Sequence, residues 1–320
     1  MVDVVGVGLN ATDTIITLPH FPEFDTKVEF ADARVMLGGQ VATAMMACRA
    51  WGLRARYVGT LGDDEAARLH TEAFAKAEIA AQFLTVPDCL SQQAYILVDS
   101  RSGERTIIWR RDPRLTLRAD QLQREWVIRA RAVHVDGHDP AAAAQAARWA
   151  REAGIPVTAD VDNVYPGLPD LLRVTDYLLA SRGLPERLTG EADLLRSLPR
   201  LAAEYGCQAV GATLGSGGVI AWDGETFHYS PAFAVNTVDT TGAGDIFHGA
   251  FLYALLAGWP LPKALDFSCA AAALNCTALG ARGGIRPVAE IEHLMRTGSR
   301  HPAVYDAGAL AAARRSAGSR

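Results

Sequence analysis

Short apolar runs set the rhythm of this chain. The first, Val4-Val5-Gly6-Val7-Gly8, is too brief for a helix and is closed by glycine, which predicts a buried strand. The next stretch is not helical. Residues 13–36 carry Pro19 and Pro22 and short alternating pieces, Thr14-Ile15-Ile16-Thr17 and Lys27-Val28-Glu29-Phe30, which is hairpin material. A helix then opens after Gly38-Gly39, runs through Ala42, Ala44, Met45, Met46 and Ala47, and stops near Gly52. Residues 56–61 predict a strand and 63–76 a helix. A second pair of strand-like segments, 93–99 and 105–109, flanks the turn Ser100-Arg101-Ser102-Gly103.

From about residue 130 the pattern becomes regular. Strands are expected at 132–135, 156–160, 177–180 and 209–214, alternating with helices at 141–152 and 191–205. That alternation predicts an α/β fold whose mostly parallel sheet is covered on both faces. The two hairpin-like segments, about 13–36 and 91–111, break the rhythm. They are expected together as a small β lid above the carboxyl ends of the strands, where α/β ligand sites form. The domain is expected to run over 1–298. Residues 299–320, rich in Ala, Arg, Ser and Gly with no apolar stripe, are expected to be a disordered tail.

Composition changes this picture little. With 320 residues, 49% apolar and 21% charged, the chain suits one large globular domain. A net charge of −5 argues against a nucleic-acid partner but not against ATP, which needs only local donors. No apolar run reaches membrane-spanning length and the start lacks a signal-peptide pattern, so the expected location is the cytoplasm. Cys48, Cys89, Cys207, Cys269 and Cys276 form no C-x-x-C pair and are odd in number, which fits thiols better than disulfides or zinc ligands.

The strongest chemical signal is Asp239-Thr240-Thr241-Gly242-Ala243-Gly244-Asp245, followed by apolar residues at helical spacing (Ile246, Phe247, Ala250, Phe251). Gly242, Ala243 and Gly244 therefore open a helix whose free N–H groups and dipole favour a phosphate. Asp245, in the first turn, points into the same space and can take the proton of an attacking hydroxyl. An acidic residue there also simply favours a helix N-terminus, and the glycines together with Asp239 are what turn the reading toward catalysis. Upstream, Thr213-Leu214-Gly215-Ser216-Gly217-Gly218 lacks the lysine of a P-loop. It reads as a strand-to-strand turn or as a platform for a nucleotide. A third segment, the alanine-rich helix over 261–279, ends near Asn275, and glycines at 280, 283 and 284 come after it.

The 239–245 motif resembles the signature of the PfkB (ribokinase-like) carbohydrate kinases. Gly38-Gly39 is similar to their di-glycine region, and Gly8-Leu9-Asn10-Ala11-Thr12-Asp13 to their first substrate loop; the resemblance spans about residues 2–295. It implies a ribokinase-like three-layer sandwich with a β lid, ATP as donor and Mg²⁺. It places the anion hole on Gly242, Ala243 and Gly244 and the base on Asp245. Asn10, Asp13, Gly38 and Gly39 would meet the substrate, and Thr213, Gly215, Gly218, Gly244 and Asn275 the nucleotide. Asp239 and Thr241 match the ligands of a monovalent cation, K⁺, found in several members. A homodimer joined through the lids is also implied.

Two positions depart from the family pattern. Thr43 stands where an asparagine is usual, and Ser181-Arg182-Gly183-Leu184 stands where an Asn-x-x-Glu element that orders Mg²⁺ is expected. The runs Ala42-Thr43-Ala44, Phe247-His248-Gly249 and Asn275-Cys276-Thr277, leading to Arg282-Gly283-Gly284, are similar to the bacterial sulfofructose kinase branch. An anionic ketose is thus one possible acceptor, with Lys27 and Arg111 in the lid as candidates to grip its charge. Charged residues on a lid strand are also ordinary edge protection. His134, His138 and Trp109 could meet the substrate or simply pack.

Three rivals stand beside this reading. A nucleoside kinase on the same fold fits the same motifs. A dinucleotide-dependent oxidoreductase is suggested by Gly6-x-Gly8-x-x-Ala11, but that fingerprint needs a helix directly afterwards, and prolines come instead. A binding protein without turnover would not need Asp245 and its glycines.

Overall fold

The computed structural model describes residues 2–317. Thirteen strands form two sheets: β1 (Val4–Val7), β2 (Ala11–Leu18), β3 (Asp32–Gly38), β4 (Ala55–Leu61), β5 (Ala80–Thr85), β6 (Gln93–Asp99), β7 (Arg105–Arg110), β8 (Ala132–Asp136), β9 (Val157–Val161), β10 (Tyr177–Ser181), β11 (Ala209–Thr213), β12 (Val219–Trp222) and β13 (Phe227–Ser230). The nine-stranded sheet runs β13-β12-β11-β10-β9-β8-β1-β4-β5. It is parallel from β11 to β5, and β12 and β13 close one edge antiparallel.

Alternation within the strands explains the layering. Val5, Val58, Leu178, Ala180 and Ile220 pack with the helices Pro140–Glu152 and Leu194–Tyr205 on one face. Their neighbours Val4, Tyr57, Leu179 and Val219 pack with the helices Gln40–Ala50, Ala243–Leu256 and Leu261–Asn275 on the other. With both faces covered, β1, β8 and β9 are buried along their whole length, so they are mostly apolar, with His134, Asp136, Thr158 and Asp160 as the buried polar exceptions.

The second sheet is the lid, ordered β3-β2-β6-β7. Strand β2 pairs antiparallel with β3 and parallel with β6, and β6 pairs antiparallel with β7. Ile15, Ala94, Ile96 and Val98 form its apolar inner layer, against Met36 and Leu279. Only residues 8–10 separate β1 from β2, so the lid begins at the carboxyl end of a central strand.

The expectation differs from the structure in four places. Lys27-Val28-Glu29-Phe30 is not a strand but part of the exposed loop before β3. Strands β5 and β13 lie in stretches where no strand was expected. The helix expected over 191–205 begins at Leu194, because the Asp193 carboxylate caps it by accepting from the Leu195 N–H at 2.9 Å. The expected disordered tail is ordered through residue 317. Arg300 pairs with Asp266 at 2.6 Å and lies 3.5 Å over the Phe233 ring, and a helix covers Ala307–Ala317. Tyr305, Leu310 and Ala313 also pack against the main core, and Tyr305 meets the Tyr229 ring edge-on, so a few spaced apolar residues dock a segment whose composition suggested none. The last three residues of the expected tail, 318–320, lie outside the described residues.

Candidate active site

The site lies where the lid faces the carboxyl ends of the parallel strands. Its donor half is the turn before the helix Ala243–Leu256. Gly242 caps that helix at φ 73°, a left-handed conformation, and a Cβ there would stand 2.5 Å from the Ala281 backbone. Glycine is thus required on both counts. Around Gly244 nothing would lie within 4 Å of an added Cβ, so the first turn opens into free space. The Ala243 N–H is bonded to the Thr240 carbonyl at 3.3 Å, whereas Gly242 and Gly244 find no protein acceptor among the described residues. The expected anion hole at 242–244 therefore rests on Gly242 and Gly244 more than on Ala243.

Asp245 comes next, in the first helical turn. Burial first, then the neighbouring carboxylates of Asp160 and Asp13, push its carboxyl up to about 7 against the opposing pull of His248 and Arg105. Beneath it, Asp160 and His248 form a buried pair at 3.2 Å. An acid poised near neutrality suits a general base.

The acceptor half comes from the lid and the di-glycine turn. Asp13, 5% exposed on β2, leans onto Gly38, where a Cβ would stand 2.1 Å from its Oδ2. Burial pushes the Asp13 carboxyl up to about 7, and Arg282 pulls it down. Gly39, at φ 91°, lets the chain pass 2.3 Å from the Asn10 backbone where a Cβ would sit. Trp109 pairs opposite Ala94, itself opposite Asp13, so this half-exposed indole shares the face of Asp13. Lid and donor half touch through Arg105, whose Nη1 donates to Thr240 Oγ1 at 2.6 Å.

Several expected site residues are placed otherwise. The Asn10 amide nitrogen is committed to Tyr57 Oη (2.8 Å) and the Thr60 carbonyl (2.9 Å) inside the protein. Asn275, fully buried, donates to the carbonyls of Thr241 and Ala281 and accepts from the Gly284 N–H. It clamps the anion-hole turn to the loop after it, with both amide hydrogens used and no surface exposed to a nucleotide. Arg111 grips Asp139 with both terminal nitrogens, at 3.0 and 2.5 Å, and also the Leu115 carbonyl. Lys27 sits in the exposed loop. Arg111, held by Asp139, lines a small cavity with Gly8, Leu9 and Asn10 of the first loop. His134 is buried in β8 and bonded to Thr158, and His138 lies against Tyr165 and Asp136. Thr213 ends β11, and Gly215 and Gly218 shape the β11–β12 turn, with open space around Gly215. Arg282 is the residue that sequence reasoning missed as a site group, although it lies inside the expected glycine loop.

The metal expectations can be set against these side chains. Residues 181–184 offer no carboxylate, and among the described residues no three His, Cys, Asp or Glu side chains could hold an ion together. The chain therefore suits a Mg²⁺ ion that arrives on nucleotide phosphates rather than one held in a protein cage. At the expected K⁺ position, both Asp239 oxygens accept backbone N–H groups, from Thr241 and Gly280 at 2.8 Å. The Thr241 carbonyl takes the Asn275 amide, which leaves Thr241 Oγ1 as the buried oxygen there without a partner. Each of the hydrogen-bonded oxygens keeps a lone pair beside its hydrogen bond, and no step of the transfer is routed through K⁺.

A cleft with anion donors on one wall and a base beside them can pass a phosphoryl group to an alcohol, and on this architecture it defines a ribokinase-like kinase. The chain belongs to the pfkB family of carbohydrate kinases, whose profile matches residues 1–287. It is accordingly an ATP-dependent carbohydrate kinase. Ribokinase of Haemophilus influenzae is 27% identical over 292 residues, covering 87% of this chain and 93% of that one. A protein of Agrobacterium tumefaciens assigned as a ribokinase superposes with TM-score 0.85 at 30% identity, covering 92% and 97% of the two chains. An E. coli protein assigned as ribokinase II, solved with ATP and Mg²⁺, shares the fold with TM-score 0.80 at 20% identity, covering 92% and 99%.

Proposed function

We propose that the chain transfers the γ-phosphoryl group of ATP to a hydroxyl of a small sugar, with Asp245 as general base and the Gly242 and Gly244 N–H groups holding the transferring phosphoryl. The observation that carries this reading is the placement of Asp245 in the first turn of a helix whose N-terminus opens into the cleft, facing Asp13 on the lid. Asp13 orients the acceptor by accepting from a hydroxyl, beside Gly38. ATP lies along the β11–β12 turn at Thr213, Gly215 and Gly218, with Mg²⁺ on its phosphates. Phosphoryl transfer needs chiefly such positioning and charge stabilisation. The five free thiols suit a reducing compartment, and no helix among the described residues is long and apolar enough to cross a membrane; we place the enzyme in the cytoplasm.

The test is ADP release measured across ribose, ketoses, aldonates, sulfonated or phosphorylated sugars and nucleosides. Turnover confined to nucleosides would replace the sugar by a nucleoside. Silence with every acceptor would leave a binding protein.

We further infer a homodimer formed through the lids. Val35, Thr14, Tyr95 and Ile108 stand in one cross-strand row on the face away from Asp13, and the three larger side chains are 61%, 51% and 56% exposed. An apolar row of that kind on a soluble sheet favours a covering partner. Light scattering should give twice the chain mass, and Tyr95→Asp should return the monomer; a monomeric wild type would remove the idea.

A further inference from the structure

Arg282 reaches the site from the loop after the alanine-rich helix, and its surroundings are unusual. Nη2 donates to the Gly38 carbonyl at 2.9 Å and Nε to Thr43 Oγ1 at 3.3 Å. Nη1 is buried and has no partner among the described residues. Buried guanidinium donors are almost always satisfied, so an orphan at the edge of a cleft points to a group that arrives with the ligand. The position is well defined: Gly38 is the residue onto which Asp13 leans, and Ala281, next to Arg282, packs on Gly242. The guanidinium therefore sits between the di-glycine turn and the anion-hole turn, nearer to Asp13. The ring of Phe74 lies 5.8 Å beneath it.

We propose that Arg282 is a specificity-determining residue whose free Nη1–H donates to a hydroxyl oxygen of the acceptor next to the one phosphorylated, with Asp13 accepting from the same diol. The assignment rests on the kinase reading and names its substrate class: a neutral vicinal polyol. Once Asp13 and Asp245 are both deprotonated, as the base must be to act, two carboxylates face the one cation, and an added carboxylate or sulfonate is repelled. A hydroxyl, in contrast, can accept from Arg282 and donate to Asp13 at once. Burial holds the guanidinium down to about 10, still charged at neutral pH.

The experiment compares wild type, Arg282→Gln and Arg282→Lys. Titration calorimetry is run with D-ribose, D-fructose and D-gluconate, and with ATP, and melting temperature reports the fold. The expected result is binding of a neutral sugar by wild type, weakened tenfold or more in R282Q and less in R282K. ATP affinity should stay within about twofold. Unchanged sugar affinity in a folded R282Q overturns the assignment, as does wild-type binding confined to gluconate. A fall in kcat with sugar affinity unchanged also overturns it, by moving Arg282 to the phosphoryl group. If R282Q melts early, R282K carries the comparison, because it keeps the charge and loses the fork. Should sugar binding respond as expected while wild type releases no ADP with the bound sugar, the kinase reading fails and the Arg282 contact stands.

Discussion

Asp245→Asn should lower turnover by about 10²–10⁴-fold while ATP still binds, because the amide keeps the size of the side chain and loses only its capacity to take a proton. Single-turnover phosphoryl transfer and equilibrium ATP binding, measured on the same preparation, separate the two effects. Near-normal turnover would remove Asp245 from the role of base. The wild-type pH profile should show the same group. Activity needs the carboxylate, whose pKa is raised from 3.8 to about 7, so kcat/KM should climb as pH rises through 7. Asp13, also near 7, titrates with it, and the limb belongs to the pair. Stability has the opposite sign. The folded chain holds the Asp245 proton more tightly than the unfolded chain, so that carboxyl's contribution falls as pH rises from about 4 to about 7. D245N removes this loss and should melt above wild type at pH 8 and level with it at pH 3. A variant that loses activity and also melts lower at pH 8 would indicate a disturbed fold instead.

Arg111→Ala should cost about 3–5 kcal/mol of stability, the usual penalty for leaving one member of a buried ion pair without its partner. The side chains of Arg111 and Asp139 are only 14% and 8% exposed. Asp139 precedes the helix Pro140–Glu152 and Arg111 comes directly after β7, so the pair ties the lid's last strand to the body. Urea denaturation should show the loss, and the double variant R111M/D139L should recover much of it because it leaves no lone charge. The ratio of kcat/KM for acidic over neutral sugars should not change in R111A. A selective fall for acidic sugars in a stable R111A protein would restore Arg111 as an anion-binding residue.

Arg111 also marks the boundary of what a single sequence reveals. The 239–245 motif is contiguous, and its helix position follows from the apolar spacing behind it, so the placement of Asp245 and its glycines at a helix N-terminus was legible. The central strands were legible as well, because burial on both faces leaves them mostly apolar, with a few buried polar residues such as Asp136 and Asp160 among them. Strands β5 and β13 are the two outer strands of the large sheet, and their half-exposed residues carry a weaker pattern. Partnerships across the chain left no local trace. The Arg111–Asp139 pair spans 28 positions, and Arg282 meets Gly38 across 244. Asn275 shows the limit from the other side: an exposed-looking amide at a helix end proved to be an internal clamp, since the three backbone groups it satisfies are brought together only by the fold.

The short link from β1 to β2 has a further consequence. The strand that carries Asp13 is also a strand of the lid, so any opening that lifts the small sheet must draw Asp13 away from Asp245. Arg105, on the same sheet, would leave Thr240 in that movement. Water is a rival nucleophile for ATP in every such enzyme, and a lifted lid would admit more of it while drawing Asp13 and Asp245 apart. A bound sugar that pins Asp13 down would thereby shut out the futile hydrolysis it competes with.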